Sequence, residues 1–122
     1  MKDFRNLQVW HKAHLLVLAS YRSTVGFPKQ EMYGMTSQIR RCAASIAANI
    51  AEGCGKRGNG DFQRYLNIAA GSASELEYHF LLARDLKLFD ETNYQQLNTG
   101  VVEVKRMLAS LIRKVEAERL AS

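Results

Sequence analysis

The stretch SIAANIAEGCGKRGNG, residues 45–60, brings polar, charged and thiol groups close together in the chain and raises the question of catalysis or phosphate binding. Asn49 and Glu52 lie among alanines, and Lys56 and Arg57 follow in a glycine-rich segment. A P-loop follows a strand and ends in Gly-Lys-Ser or Gly-Lys-Thr. This segment follows a predicted helix and lacks that ending, which excludes a P-loop nucleotide triphosphatase. Two interpretations stay open, a loop that holds a backbone phosphate at the start of the next helix and a solvated loop.

The histidines and carboxylates do not match a metal-binding helical bundle. Di-metal four-helix proteins use a glutamate on each of two helices and Glu-x-x-His on the other two. Here His11 and His14 share a segment without a carboxylate, and Glu75 and His79 are spaced i, i+4. We therefore expect no metal and no cofactor, and we expect His14 and His79 to be core or interface side chains.

The two cysteines give little support for catalysis. Cys42 lies among apolar helical neighbours, which indicates an inert, packed thiol. Cys54 is predicted to lie exposed in the cationic loop, where Lys56 and Arg57 would lower its pKa. A single exposed cysteine without a base is weak evidence for a nucleophile. The protein is therefore predicted not to be an enzyme.

The polar side chains of the alanine-rich segment share one helix face, because Ser45, Asn49 and Glu52 are spaced i, i+4, i+7. Alanines surround the rest of that helix, which predicts that it is covered on more than one side, in part by another subunit. Buried amides and carboxylates need partners, and the mixed stripe of the third predicted helix is the nearest source. The predicted structural polar network is Ser45, Asn49, Glu52, Ser72, Glu75 and His79.

Five cations follow one another through the second and third predicted helices and the loop between them. They are candidates for contact with the phosphates of a nucleic acid, although a solvated charged face is the ordinary interpretation. Repetition around a symmetric oligomer would multiply such a patch. The candidate nucleic-acid-binding residues are Arg40, Arg41, Lys56, Arg57 and Arg64.

Four amphipathic helices position these residues. The hydrophobic periodicity predicts helices over 7–25 and 35–52, with a short prelude at 29–33. Gly53 is expected to end the second helix in the left-handed conformation. Asn59 is the expected N-cap of the third, and the fourth begins near residues 90–92. Short connections favour antiparallel neighbours, so the fold class is all-α, an up-down-up-down four-helix bundle in one domain, 1–122.

The apolar stripes identify the expected core. They recur at spacings of three and four residues in every predicted helix. They are Leu7, Trp10, His14, Val17 and Tyr21; Met32, Met35, Ile39, Ala43, Ile46 and Ile50; Phe62, Leu66, Ala69, Ala73, Leu76, Phe80 and Ala83; and Tyr94, Leu97, Val101, Val104, Leu108, Leu111 and Val115.

The composition is that of an ordinary globular domain with a basic excess. The chain has 122 residues, a formal net charge of +5 and a pI near 9.4. Such a charge permits attraction to phosphate without requiring it. The N-terminus lacks the apolar run of a signal peptide, and no apolar stretch is long enough to span a bilayer. With two cysteines and no disulfide framework, the chain is expected to be cytoplasmic, with no membrane partner.

Three segments carry a family resemblance: DFRNLQVWHKAHLLV, FPKQEMYGMTSQIRRCAASIAANIAEG and DFQRYLNIAAGSASELEYHFLLARDL. They resemble the bacterial four-helix-bundle family called 23S rRNA intervening-sequence protein or S23 ribosomal protein. The signature elements are Gln38-Ile39-Arg40-Arg41, Ser45-Ile46, Asn49-Ile50-Ala51-Glu52-Gly53 and Ser72-x-x-Glu75-Leu76. Ala47 and Ala48 stand where relatives often have proline and a small polar residue, which weakens the expectation of a kink in the second helix.

The resemblance implies a homopentameric ring of four-helix bundles without catalytic activity. The sequence is also similar to a related branch of the family, the accessory protein of diversity-generating retroelements. That protein is a basic pentamer that binds nucleic acid and a reverse transcriptase. Together with the basic charge, this leaves two expected functions. The first is binding of RNA or DNA through repeated basic patches, with room for a protein partner. The second is a protein–protein scaffold or adaptor with no nucleic-acid role.

Overall fold

The computed structural model describes residues 2–121, and these residues contain helices and no strand. Two short 3-10 turns, Phe4–Asn6 and Lys29–Glu31, accompany the long helices. The four α-helices are α1 (Gln8–Thr24), α2 (Met35–Cys54), α3 (Asn59–Asp85) and α4 (Glu91–Ala121). The predicted all-helical class is confirmed.

Acidic side chains help to fix two of the helix starts. The Asp90 carboxylate accepts a hydrogen bond from the Asn93 backbone N–H at 2.7 Å, so Asp90 caps α4. Asp61 lies in the first turn of α3, where a negative charge favours the helix dipole. The prediction that Asn59 is the N-cap of α3 was wrong. Gly58 occupies that position with an extended backbone, and Asn59 is the first helical residue.

The prediction that Gly53 ends the second helix was also wrong. α2 continues to Cys54, and the part of the chain that the structure describes has no glycine with positive φ. Gly53 is required for a different reason: a Cβ atom on it would lie 2.9 Å from Cβ of Tyr65 and 3.1 Å from Cδ1 of Phe62. α2 and α3 therefore meet here more closely than any larger residue allows.

The helices pack as an antiparallel bundle. α1 contacts α2 and α4, and α3 contacts the same two helices. On the α3–α4 side, Lys105 pairs with Glu77 at 2.6 Å. Further along α4, Arg119 donates a hydrogen bond to Gln63, which lies earlier in α3. α3 and α4 therefore run in opposite directions, as the short connection between them favours.

The core confirms three of the four predicted stripes. All seven predicted positions of α3 are buried, and the stripe of α4 is buried except for Leu111, which is half-buried. In α2 the stripe is buried from Met35 onward, whereas Met32 precedes the helix and is exposed. The buried apolar positions of these helices include Met35, Ile39, Ala43, Ile46, Ile50, Phe62, Leu66, Ala69, Ala73, Leu76, Phe80, Ala83, Tyr94, Leu97, Val101, Val104, Leu108 and Val115.

The stripe predicted for α1 is not the one that the bundle buries. The buried face of α1 consists of Val9, Ala13, Leu16, Ser20 and Thr24. The predicted stripe lies on the flank beside α2 and is half-buried or exposed: Leu7, Trp10, His14, Val17 and Tyr21. α1 has two apolar flanks, and the bundle buries the one with the smaller side chains.

Substituting Gly53 tests the close approach of α2 and α3. Gly53→Ala should lower the free energy of unfolding by about 1–3 kcal/mol, because its methyl group overpacks against Tyr65 and Phe62. Gly71→Ala is the matched control: Gly71 is exposed in α3 and has nothing within 4 Å of a built Cβ. It should stabilise the protein by about 0.5–1 kcal/mol. Urea unfolding measures both, and equal effects of the two substitutions would contradict the packing described.

Candidate functional site

A hydrogen-bonded chain of small polar side chains joins α2 to α3. The hydroxyl groups of Ser45 and Ser72 lie 2.9 Å apart across the two helices. The Asn49 side-chain amide donates to the Ser45 carbonyl oxygen at 2.8 Å and lies 3.0 Å from its hydroxyl oxygen. The structure therefore brings three residues of the predicted network together.

Two other members of the predicted network meet one turn away, beside a cysteine. Nε2 of His79 lies 3.3 Å from a carboxylate oxygen of Glu75. The Cys42 thiol lies within 4.8 Å of the same carboxylate. One ligand atom from each of these three residues lies within 4.8 Å of the other two.

The protonation states of this group follow from its surroundings. Burial raises the pKa of the Cys42 thiol to about 12, and the hydrogen bond and negative charge of Glu75 add to the effect. Hydrogen bonds from Cys42 and then His79 lower the pKa of Glu75. The prediction that Cys42 is packed among apolar neighbours is confirmed by its burial, and the raised pKa favours its neutral thiol form.

Glu52 does not join the network. It is exposed at the end of α2, and its side chain forms no hydrogen bond or ion pair with any residue between 2 and 121. The remaining members line or adjoin a surface pocket of about 220 Å³ between α2 and α3. The pocket is lined by Gln38, Arg41, Cys42, Ser45, Ser72 and Glu75.

The candidate cations separate into two groups. Arg40 is half-buried against α1: its guanidinium donates to the Thr24 hydroxyl at 2.9 Å and lies 4.7 Å from the centre of the Tyr21 ring. Arg41 is exposed beside the polar pocket. From Arg41 to the end of α2 is about 20 Å along the helix axis at 1.5 Å per residue. These two arginines are therefore not continuous with the cations of the loop.

The other three cations lie at the end of the bundle where α2 finishes and α3 begins. Lys56 and Arg64 lie over the Tyr65 ring, at 5.4 Å and 4.6 Å from its centre. Arg64 also approaches Asp61 at 3.9 Å. Arg57 is exposed in the loop between them.

The fold adds two cations that the sequence reasoning missed. The Lys2 backbone N–H donates to the carbonyl of Cys54 at 2.8 Å, and its ammonium group lies 4.6 Å from the centre of the Phe62 ring. Arg119, near the end of α4, reaches Gln63. We call the resulting surface the cationic end. It consists of Lys2, Lys56, Arg57, Arg64 and Arg119.

The prediction that Cys54 lies exposed in the cationic loop was wrong. Cys54 is the last residue of α2 and is only 1% exposed, under the N-terminal segment. Burial raises the pKa of its thiol, and the opposing effect of Lys2 is smaller. Neither cysteine is therefore an activated nucleophile.

A second surface lies on the side of the bundle formed by α1 and α2. The rings of Trp10 and His14 stack at 5.0 Å with an interplanar angle of 7°. Leu18 and Tyr21 continue the same flank and are 39% and 43% exposed. Ala48 is exposed on α2. His14 is therefore not a core residue of the single chain.

These features define an all-helical bundle protein with two buried thiols and a cationic end, and comparison with known proteins gives its family. The family model for the 23S rRNA-intervening sequence protein matches residues 5–110. The chain therefore belongs to that family, and the resemblance found in the sequence is confirmed.

One solved structure extends the comparison to three dimensions. It is the crystal structure of a protein of unknown function from the S23 ribosomal protein family of Bacteroides thetaiotaomicron. It is 30% identical to this chain, with a TM-score of 0.77, over 85% of this chain and 97% of its own. No curated protein matches. None of the described helices is long and apolar enough to cross a membrane.

Proposed function

We propose that this protein is a non-enzymatic, cytoplasmic homo-oligomer that binds the phosphate backbone of RNA or DNA through its cationic end. The observation that carries the proposal is the convergence of cations from separate parts of the chain on one end of the bundle. Lys2, Lys56 and Arg119 come from the N-terminal segment, the α2–α3 loop and the end of α4. The two buried, unpaired thiols fit a reducing compartment.

The cationic end has the chemistry of backbone recognition. Lys56 and Arg57 form no ion pair with any residue that the structure describes, so their charges are available to phosphates. The first N–H groups of α3 lie in the same region, and Gly58 supplies no side chain to cap them. Contacts of this kind fix position on a nucleic acid without reading its bases. Binding should therefore be tolerant of sequence and sensitive to salt.

Family membership makes RNA the first ligand to test, because the family name refers to an intervening sequence of 23S rRNA. The proposal assigns phosphate contact to Lys56, Arg57 and Arg64, which the sequence indicated. It leaves Arg40 out, because that guanidinium is engaged with α1. Arg41 belongs to the polar pocket.

Self-association is the second part of the proposal. The flank of α1 that carries Trp10 leaves Leu18 and Tyr21 exposed, and α2, which packs against α1, exposes Ala48. A neighbouring copy on this surface would bury it. A ring of five, which the resemblance implies, would place five cationic ends around one axis and raise the affinity for a long phosphate backbone by avidity.

A scaffold or adaptor is the alternative function, and one observation favours it. The connection between α1 and α2 exposes three large apolar side chains, Val25, Met32 and Tyr33, at 75%, 50% and 96%. An exposed apolar cluster marks a protein-binding surface. It lies at the opposite end from the cations, so the two functions can be separated by substitution.

The nucleic-acid proposal predicts that charge at the cationic end controls affinity. Lys56→Ala with Arg57→Ala should weaken the binding of a structured RNA at low salt by at least tenfold. Each lost phosphate contact should reduce the slope of log affinity against log salt by about 0.7–0.9. Fluorescence anisotropy at several salt concentrations measures both quantities, and sedimentation should show an unchanged assembly.

The matched control is Arg22→Ala with Lys29→Ala, which removes the same charge from the other end of the bundle. The affinity for RNA should stay within about twofold of the unaltered protein, because salt screening confines the effect of distant charges. Equal losses in the two double variants would refute specific binding at the cationic end. Absence of binding by the unaltered protein at low salt would favour the scaffold function.

The self-association proposal predicts that a charge on the α1 flank disrupts the oligomer. Leu18→Glu should shift the sedimenting species to the monomer, because an unpaired carboxylate in an apolar interface costs several kcal/mol. Leu120→Glu is the control, since Leu120 is 83% exposed at the end of α4. Its assembly should match that of the unaltered protein. An oligomer that survives Leu18→Glu would place the interface elsewhere.

A further inference from the structure

The group formed by Cys42, Glu75 and His79 has the composition of a transition-metal site. It offers a thiol, an imidazole and a carboxylate from two adjacent helices, with one ligand atom of each within 4.8 Å of the others. Sulfur and nitrogen ligands favour zinc and its neighbours over magnesium or calcium. The sequence does not show this group, because Cys42 lies on α2 and the other two residues on α3.

The spacing of the group is close to that of a tetrahedral site. Bonds of about 2.0 Å to nitrogen or oxygen and about 2.3 Å to sulfur place neighbouring ligand atoms about 3.3–3.6 Å apart. Nε2 of His79 and the Glu75 oxygen are already 3.3 Å apart. From the 4.8 Å limit, the thiol has to come closer by up to about 1.2 Å to complete the same triangle, a shift within the range of side-chain rotation.

The arrangement of the three side chains also suits a metal ion. The Cys42 thiol and Nε2 of His79 both lie beside the Glu75 carboxylate, within 4.8 Å and at 3.3 Å, so two groups that can carry a proton converge on one acceptor. A divalent cation can replace these two protons. The thiol proton would leave to solvent, and the imidazole proton would move from Nε2 to Nδ1. One thiolate and one carboxylate would then neutralise the two positive charges of the ion.

We propose that Cys42, Glu75 and His79 bind a zinc ion with three protein ligands and one open position. The open position would face the pocket between α2 and α3, which Cys42 and Glu75 both line. Arg41 lines the same pocket, so water or a small anion is the fourth ligand that fits the charges there. This site departs from the expectation that the protein binds no metal.

The surroundings of His79 determine how tightly the site would bind zinc. Nδ1 of His79 is buried and has no hydrogen-bond partner within the described residues. Zinc-bound histidines usually donate this N–H to an acceptor, and loss of such a partner weakens binding by about 10–100-fold. The site is therefore expected to be weaker than a structural zinc site with a complete outer shell, and the binding of zinc should release one proton per ion from Cys42.

Cobalt(II) titration of the full-length, metal-free protein tests the proposal, because a thiolate bound to cobalt absorbs in the near ultraviolet. One cobalt ion per chain should produce this band, and zinc should displace it. Cys42→Ala should abolish the band, whereas Cys54→Ala, which removes the other buried thiol, should leave it unchanged. His79→Gln and Glu75→Gln should each weaken zinc binding at least tenfold in competition with a chromophoric chelator.

The outcomes are decisive in either direction. Absence of a thiolate band, or a band that persists in Cys42→Ala, would overturn the assignment. Circular dichroism in metal-free buffer establishes that each variant is folded. If Cys42→Ala does not fold, the two α3 variants decide, since Glu75 is largely exposed and its replacement leaves the core intact. Zinc affinity in both equal to that of the unaltered protein would reject the site.

Discussion

The close approach of α2 and α3 is the constraint on which the rest of the structure depends. Gly53 leaves no space for a side chain against Tyr65, and Ser45 and Cys42, which face α3 earlier in α2, are also small. Short side chains let the two backbones approach, and this approach puts the Ser45 and Ser72 hydroxyl groups at hydrogen-bond distance. The register fixed there places Cys42 opposite Glu75 one turn away. At the other end of the same seam, it brings the start of α3 beside the end of α2, where the cationic end begins.

The sequence predicted the buried face correctly for those helices that have a single apolar face. The stripes of α3 and α4 repeat at spacings of three and four without interruption, and burial follows them closely because each helix has a single apolar face. α1 carries apolar residues on two flanks, and periodicity cannot decide which flank faces the core. Gly53 was misassigned because glycine at the end of a helical pattern has two physical uses, a left-handed turn and a close contact. Only the position of α3 distinguishes them.

The sequence predicted those parts of the polar network and the cationic end whose residues follow from helix spacing or lie close together in the chain. Spacing alone placed Ser45 and Asn49 on one face, and the mixed stripe of α3 supplied Ser72 as the partner. Glu52 follows the same spacing, but its side chain is exposed to solvent and joins no partner on α3 among the described residues. Lys2 and Arg119 could not be associated with the loop, because they are more than fifty residues away from it in the chain and only the bundle topology brings them there.

A double-mutant cycle on Ser45 and Ser72 tests the central claim, that α2 and α3 meet closely enough for these side chains to bond. Ser45→Ala, Ser72→Ala and the double variant are compared by urea unfolding. A direct hydrogen bond predicts a coupling free energy of about 0.5–1.5 kcal/mol between the two positions. Strict additivity of the two substitutions would show that the hydroxyl groups do not meet, and would contradict the α2–α3 register from which the pocket, the metal site and the cationic end all follow.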